Sequence, residues 1–128
     1  MNYKYTLFAI LCTCVIIFLS SIPDLSIMGN GSLSDQIISN LAHIPAYAVL
    51  TFLWVYSLTG TNLMKYHYSK LILFVIAAIL LFAVSDEIHQ SFVPGRTASL
   101  MDIGLDLAGI LFGIGAFKFS GHLISARK

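Results

Sequence analysis

Four apolar runs, each about as long as a bilayer is thick and parted by short polar connectors, constrain this chain more than any other feature. They cover about residues 3–21, 36–59, 70–91 and 99–119. Crossing the hydrocarbon core takes about 20 helical residues. Lipid offers no hydrogen bonds, so each run must satisfy its backbone amides internally, as a helix does. The expected fold is all-α, a four-helix transmembrane bundle making one domain over residues 1–128. Composition points the same way: 58% of the residues are apolar and 10% charged, where a soluble domain carries about a quarter charged. A net charge of +1 supplies no basic face for nucleic acid.

The first run resembles a secretion signal in position only. No small-x-small cleavage site precedes the polar connector and no lipobox precedes Cys12 or Cys14, so a retained helix is expected. The i, i+2 spacing of the two cysteines sends them to opposite sides of that helix, which suits neither a disulfide nor a metal pair. Four spans put Lys4, Lys65, Lys70, Lys118, Arg127 and Lys128 on one side and leave Arg96 alone on the other. The positive-inside rule then sets both termini in the cytoplasm, N-in/C-in. The turn-rich connector 21–35, with Pro23, Gly29 and Gly31, becomes an external loop.

One stretch breaks the hydrocarbon pattern. SDEIHQSFVPGR, residues 85–96, directly follows LILFVIAAILLFAV, and the third run reaches spanning length only if its helix continues through the Asp86–Gln90 stretch. At the helical rise, His43 lies roughly 10 Å below the outer face, Asp102 about 4 Å and Asp106 about 10 Å, while Asp86 stands about 24 Å up from the cytoplasmic end. Ionisable groups of three helices thus share the outer leaflet. Their faces agree as well. Asn40, His43 and Tyr47 form one stripe, Asp86, His89 and Gln90 a second with Glu87 set to its side, and Asp102 stacks on Asp106. Pro45 denies the Leu41 carbonyl its donor and weakens the second helix beside His43. Charges at this depth cost a few kcal/mol each, so they turn to a bundle interior or a wet cavity. Pro94-Gly95 suits a type II turn that would hold Arg96 at the pocket mouth, where a planar guanidinium matches phosphate or carboxylate.

Each of these residues also has a plain structural use. Ser99-Leu-Met-Asp102 has the pattern of a capping box, with Asp102 serving the fourth helix's N-terminus. His43 suits a neutral core histidine bonded to Tyr or Asn. Arg96 suits a pair with Asp86 or Glu87, and Asp106 in protonated form suits an interhelical hydrogen bond. His67 and His122 read as surface groups.

The string Ser85-Asp-Glu-Ile-His-Gln-Ser-Phe-Val-Pro-Gly-Arg96, followed by Asp102 and Gly109 and preceded by His43 and Tyr47, resembles the signature of VanZ-like membrane proteins. The resemblance covers about residues 39–113. It implies a small multi-pass protein of the bacterial cytoplasmic (inner) membrane, in a family whose founding member is linked to low-level teicoplanin resistance. By motif match it singles out His43, Tyr47, Asp86, Glu87, His89, Gln90, Pro94, Gly95, Arg96 and Asp102. Two departures matter. The family often has Asp-Lys where this chain has Ser39-Asn40, so a second cation beside Arg96 is missing. It often has Asn where this chain has Asp106, and the extra acid favours a metal ion or a shared proton.

Three functional classes follow. In the first, Arg96, Gln90, Tyr47, Asn40 and Asp106 bind an anionic lipid or cell-envelope headgroup at the outer leaflet, such as a polyprenyl-phosphate or an acylated glycopeptide. In the second, a membrane-embedded hydrolase or transferase draws its catalytic groups from His43, Asp86, Glu87, His89 and Asp102. A divalent metal cofactor would there take its ligands from His43, Asp86, His89 and Asp102. Against that class, Glu87 and His89 diverge on a helix, and Ser85, Ser91 and Ser99 lack a paired base. In the third, Asp86, Asp102 and Asp106 share protons in a coupled carrier. A bundle this small, with no inverted repeat, would need to form a homo-oligomer to do so.

Overall fold

The computed structural model describes the backbone of residues 1–23, 33–59, 61–96 and 98–125, and all of their side chains but those of 33–40, Leu63 and 121–125. These residues form five helices in the order α1 (Tyr3–Ser20), α2 (Leu33–Ser57), α3 (Asn62–Tyr66), α4 (Tyr68–Gln90) and α5 (Leu100–Ser125). Four of them are the expected long helices of an all-α bundle. Helices α1 and α4, and α5 over Leu100–Ser120, are each long and apolar enough to cross a membrane, and Leu41–Ser57 of α2 is a shorter apolar helix. The backbone of α2 runs 25 residues, or about 37 Å at the helical rise.

Boundaries differ from expectation in three places. Helix α2 begins at Leu33, ahead of the apolar run, and α5 continues to Ser125, with Gly121 inside it at a cost of about 1 kcal/mol. Helix α3 sits in a connector too short and polar to register as a hydropathy run. Thr61 starts it, its Oγ1 accepting the Met64 N–H at 3.1 Å, as Ser and Thr do at helix N-termini.

End contacts fix the helix directions. The Asn2 N–H donates to the Ser57 carbonyl at 2.7 Å, so the start of α1 meets the end of α2. Ser20 meets Asp86, which sets α1 and α4 side by side in one direction. His43 meets Asp106, and Gly113 lies against Thr51, so α2 and α5 run together in the other. The α2–α5 interface is the most extensive in the molecule, and small residues make it so. A Cβ added at Gly113 would stand 2.5 Å from the Ala48 carbonyl oxygen and 2.8 Å from the Thr51 Cβ. Only a side chain of hydrogen allows backbones this near, which is how membrane helices gain van der Waals contact without a hydrophobic drive.

The core is a strip of Tyr47, Leu50, Val55, Ile72, Val75, Ile79, Ala83, Ile110 and Ile114. Large apolar side chains also cover the outside, among them Phe8, Phe18, Phe74, Leu81, Phe112 and Phe119. A soluble protein rarely leaves so continuous an apolar surface bare; here it is the face presented to lipid. Helix α1 buries only Ala9 and Ser20 and packs against α2 and α4. The protein is a membrane protein. Cys12 and Cys14 are free thiols.

Candidate functional site

Among the described residues, the buried carboxyl groups all lie at one end of the bundle, where α1 and α4 finish and α5 begins. Asp86, Glu87, Asp102 and Asp106 are each buried, and each is held differently.

Asp86 closes a contact between α1 and α4. Its Oδ1 accepts the Ser20 hydroxyl at 2.6 Å and its Oδ2 the Gln90 amide at 3.0 Å. The second bond is the i, i+4 pair that one helical face provides. Both Ser20 and Gln90 are buried, so Asp86 is a satisfied group within a small polar network.

Glu87 performs a job the local pattern assigns elsewhere. Its Oε2 accepts the backbone N–H of Ser99 at 2.8 Å, and Ser99 in turn caps α5 by accepting the Met101 N–H on its hydroxyl at 3.1 Å. In a capping box the acid three residues on would take the Ser99 N–H. Glu87, arriving from α4, has taken it instead. The Oδ1 of Asp102 is consequently buried with no hydrogen-bond partner in the protein.

His43 and Asp106 join the parallel pair. The imidazole Nδ1 and Asp106 Oδ1 stand 2.8 Å apart. An Nδ1–H donated to the carboxylate would fix the ring's orientation and leave Nε2 as its free acceptor. This contact depends on the close α2–α5 approach, because Asp102, Asp106, Gly109 and Gly113 follow one another on one face of α5. Tyr47, one turn below His43, lies parallel to its ring with centroids 6.4 Å apart. It is 1% exposed, and its hydroxyl has no partner in the protein.

Arg96 reaches the site through a turn. Gly95 has φ 83° and the Arg96 N–H donates to the Val93 carbonyl at 3.1 Å, the bond and the left-handed third position of a type II turn. The guanidinium then points at the end of α1. Its Nε donates to the Ile22 carbonyl at 3.4 Å and its Nη2 to the Leu19 carbonyl at 3.3 Å. A cation at a helix C-terminus complements the helix dipole, but both bonds are long for a charged donor. Among the described residues Arg96 forms no ion pair with a carboxylate; the only ion-pair contact is His43 with Asp106.

A cavity of about 110 Å³ lies between α1, α2 and α4, bordered by Ser20, His43, Tyr47, Asp86, Gln90 and Arg96 among others. Five of the residues singled out from sequence thus line one chamber. His89 does not join them. It is exposed, with Nε2 3.0 Å from the Ser21 hydroxyl, outside the chamber at the end of α1. The side chain of Asn40 lies outside the described residues. Of the metal candidates named by residue type, only His43 belongs to the grouping seen among the described residues, which is His43 with Glu87 and Asp106, one ligand atom of each within 4.8 Å of the others. Asp86 is occupied by Ser20 and Gln90, and His89 is directed away. Ser20 and Ser21 were not anticipated at the site; their signal is a polar pair closing an apolar run at the depth of Asp86.

No curated protein and no solved structure matches the chain. The family model described as VanZ/LLP1 matches residues 5–121, a span that holds all four long helices but their outermost residues and the whole of the site, and the chain belongs to the VanZ/LLP1 family.

Proposed function

We propose that this protein binds a membrane amphiphile with an anionic, phosphate-bearing head, of the polyprenyl-phosphate kind, at the outer leaflet of the bacterial cytoplasmic membrane. The observation that carries the reading is the stacking of two unlike cavities along one seam. The upper cavity, between α1, α2 and α4, has polar groups of His43, Asp86, Gln90 and Arg96 set at its edge among apolar walls of Ile16, Leu19, Ala42 and Ala46. Deeper along the same three helices runs an apolar cavity of about 360 Å³, bordered by Thr13, Leu50, Trp54, Val75, Ile79 and Phe82 among others. Tyr47 of the first packs against Phe82 of the second, with ring centroids 6.1 Å apart. A charged head above a hydrocarbon slot matches a lipid better than a soluble metabolite. The long bonds from Arg96 to α1 carbonyls are ones a phosphate would outcompete, since charge-assisted pairs with phosphate are shorter and stronger.

The orientation belongs to this reading: both termini cytoplasmic by the positive-inside rule, and the chamber therefore extracytoplasmic. A contribution to teicoplanin resistance, or recognition of an acylated glycopeptide, rests on the family alone. The hydrolase reading gains little from the serines. Ser85 and Ser91 donate to carbonyls of their own helix, Leu81 at 2.8 Å and Ile88 at 2.6 Å, and Ser99 is spent on the α5 cap.

Native mass spectrometry of the detergent-purified protein tests the proposal. Wild type is expected to retain a phosphate-bearing lipid. Arg96→Ala and Ala78→Phe, which fills the slot from a residue that borders it, are each expected to reduce that adduct several-fold. Equal lipid retention by wild type and Arg96→Ala would remove the headgroup reading.

A further inference from the structure

The structural roles of Glu87 and Asp106 account for only half of each carboxylate. Glu87 spends Oε2 on the Ser99 N–H, and Asp106 spends Oδ1 on His43. The remaining oxygens, Glu87 Oε1 and Asp106 Oδ2, are buried with no hydrogen-bond partner in the protein, in residues 2% and 0% exposed. A buried acceptor left alone is costly, and more so when charged. Both belong to side chains grouped with the His43 imidazole, and the three residues together form a donor set.

We propose that His43, Glu87 and Asp106 hold a divalent first-row cation, of the Zn²⁺ or Mn²⁺ class, in the wall of the polar chamber. Three features carry the assignment. Each of the three side chains brings one ligand atom within 4.8 Å of the other two; ligands bonded at about 2.0–2.2 Å in a tetrahedron stand about 3.4 Å apart, so modest side-chain rotations close the set on one ion. One imidazole with two carboxylates suits Zn²⁺ or Mn²⁺ better than the all-oxygen preference of Ca²⁺ and Mg²⁺. A dication also cancels two carboxylate charges, and a neutral cluster is what a low-dielectric membrane interior tolerates best. The three ligands come from α2, α4 and α5, so the ion ties together three helices. The unpartnered Tyr47 hydroxyl and Asp102 Oδ1 lie on the same two stripes as His43 and Asp106, available to a coordinated water.

Three protein ligands leave a coordination position open, and His43 also borders the cavity. The ion is thereby in place to meet a ligand entering the chamber. Arg96 approaches from the α1 side and the cation from the α2–α5 side. The metal site stands independently of the lipid proposal, and its test reads the two separately.

Purified protein is stripped with a chelator and titrated with Zn²⁺ and, separately, Mn²⁺. Bound ion is counted by inductively coupled plasma mass spectrometry and affinity by calorimetry. Wild type is expected to take up one equivalent of at least one of the two ions and to melt at a higher temperature with it, as ligand binding to the folded state requires. Glu87→Gln and Asp106→Asn keep the size and hydrogen-bonding shape of each side chain, and each is expected to weaken binding at least tenfold. His89→Gln alters an exposed group outside both the chamber and the three ligands and is expected to bind as wild type does. Absence of a stoichiometric ion in wild type would overturn the site, as would equal binding by all four proteins. If an amide variant fails to fold, the wild-type stoichiometry and melting shift still decide the matter. Lipid retention without metal, or metal without lipid, would separate this inference from the headgroup proposal.

Discussion

Gly109 of α5 lies so near α2 that a Cβ added to it would stand 2.5 Å from the Ile44 carbonyl oxygen and 3.0 Å from the Tyr47 Cβ. The atoms it would meet first belong to a backbone and cannot swing aside. Gly109 is also one turn below Asp106, so the spacing it sets is the spacing across which His43 and Asp106 meet at 2.8 Å.

Gly109→Ala is therefore expected to destabilise the protein. Alanine in a helix gains about 0.5–1 kcal/mol over glycine, but overpacking a tight contact costs about 1–3 kcal/mol, and the second effect wins. Thermal unfolding in detergent should show a lower melting temperature than wild type. Gly115→Ala is the control, since nothing lies within 4 Å of its added Cβ, and it should be neutral or stabilising. Equal behaviour of the two variants would refute the close approach of α2 and α5.

Glu87 supplies a cap from another helix, and its variants should separate capping from charge. In chelator-treated, metal-free protein, Glu87→Gln retains an oxygen to accept the Ser99 N–H and is expected to stay within about 0.5 kcal/mol of wild type. Glu87→Ala leaves that N–H without its acceptor and should lose about 1–2 kcal/mol, the usual range for a lost N-terminal cap. If Asp102 instead serves the cap, as its local pattern suggests, Glu87→Ala will be as stable as Glu87→Gln and Asp102→Ala will carry the loss.

Gly95 holds φ 83°, a conformation that costs other L-residues about 1–2 kcal/mol. Gly95→Ala should lower stability by that amount. It should also weaken lipid retention, because the turn sets the reach of Arg96 to Leu19 and Ile22. Pro94→Ala, which loses only the pre-set φ of the preceding position, should do less on both counts. An unaltered Gly95→Ala variant in both assays would detach the turn from the site.

How much of this was legible in the chain depends on the range of each cause. The long helices could be read because hydropathy acts over one helix at a time, and the Pro94-Gly95 turn because two adjacent residues dictate it. The gathering of His43, Asp86, Asp102 and Asp106 at one end followed from helical rise and alternating direction. What failed to show were choices made between helices. Asp102 has the local pattern of a cap, yet Glu87 takes the amide from twelve residues away. His89 shares a stripe with Asp86, yet at the last turn of α4 it swings to Ser21 on α1. The tight α2–α5 seam turns on which face of α5 carries Gly109 and Gly113, and nothing local says which neighbour that face will meet.

Orientation gives the last prediction. Phe92 is 81% exposed just beyond α4, at the end where Arg96 and the carboxylates gather. Lys65 lies in α3 at the opposite end. Cationic residues are retained on the cytoplasmic side of a membrane, and among the described residues Lys4, Lys70 and Lys118 fall with Lys65. In a background with Cys12 and Cys14 replaced by alanine, Phe92→Cys is expected to react with a membrane-impermeant maleimide in intact cells. Lys65→Cys should react only after permeabilisation. The reverse pattern would move the chamber to the inner leaflet, where an extracellular glycopeptide has no access, and only cytoplasmic-side lipids would remain as ligands for Arg96.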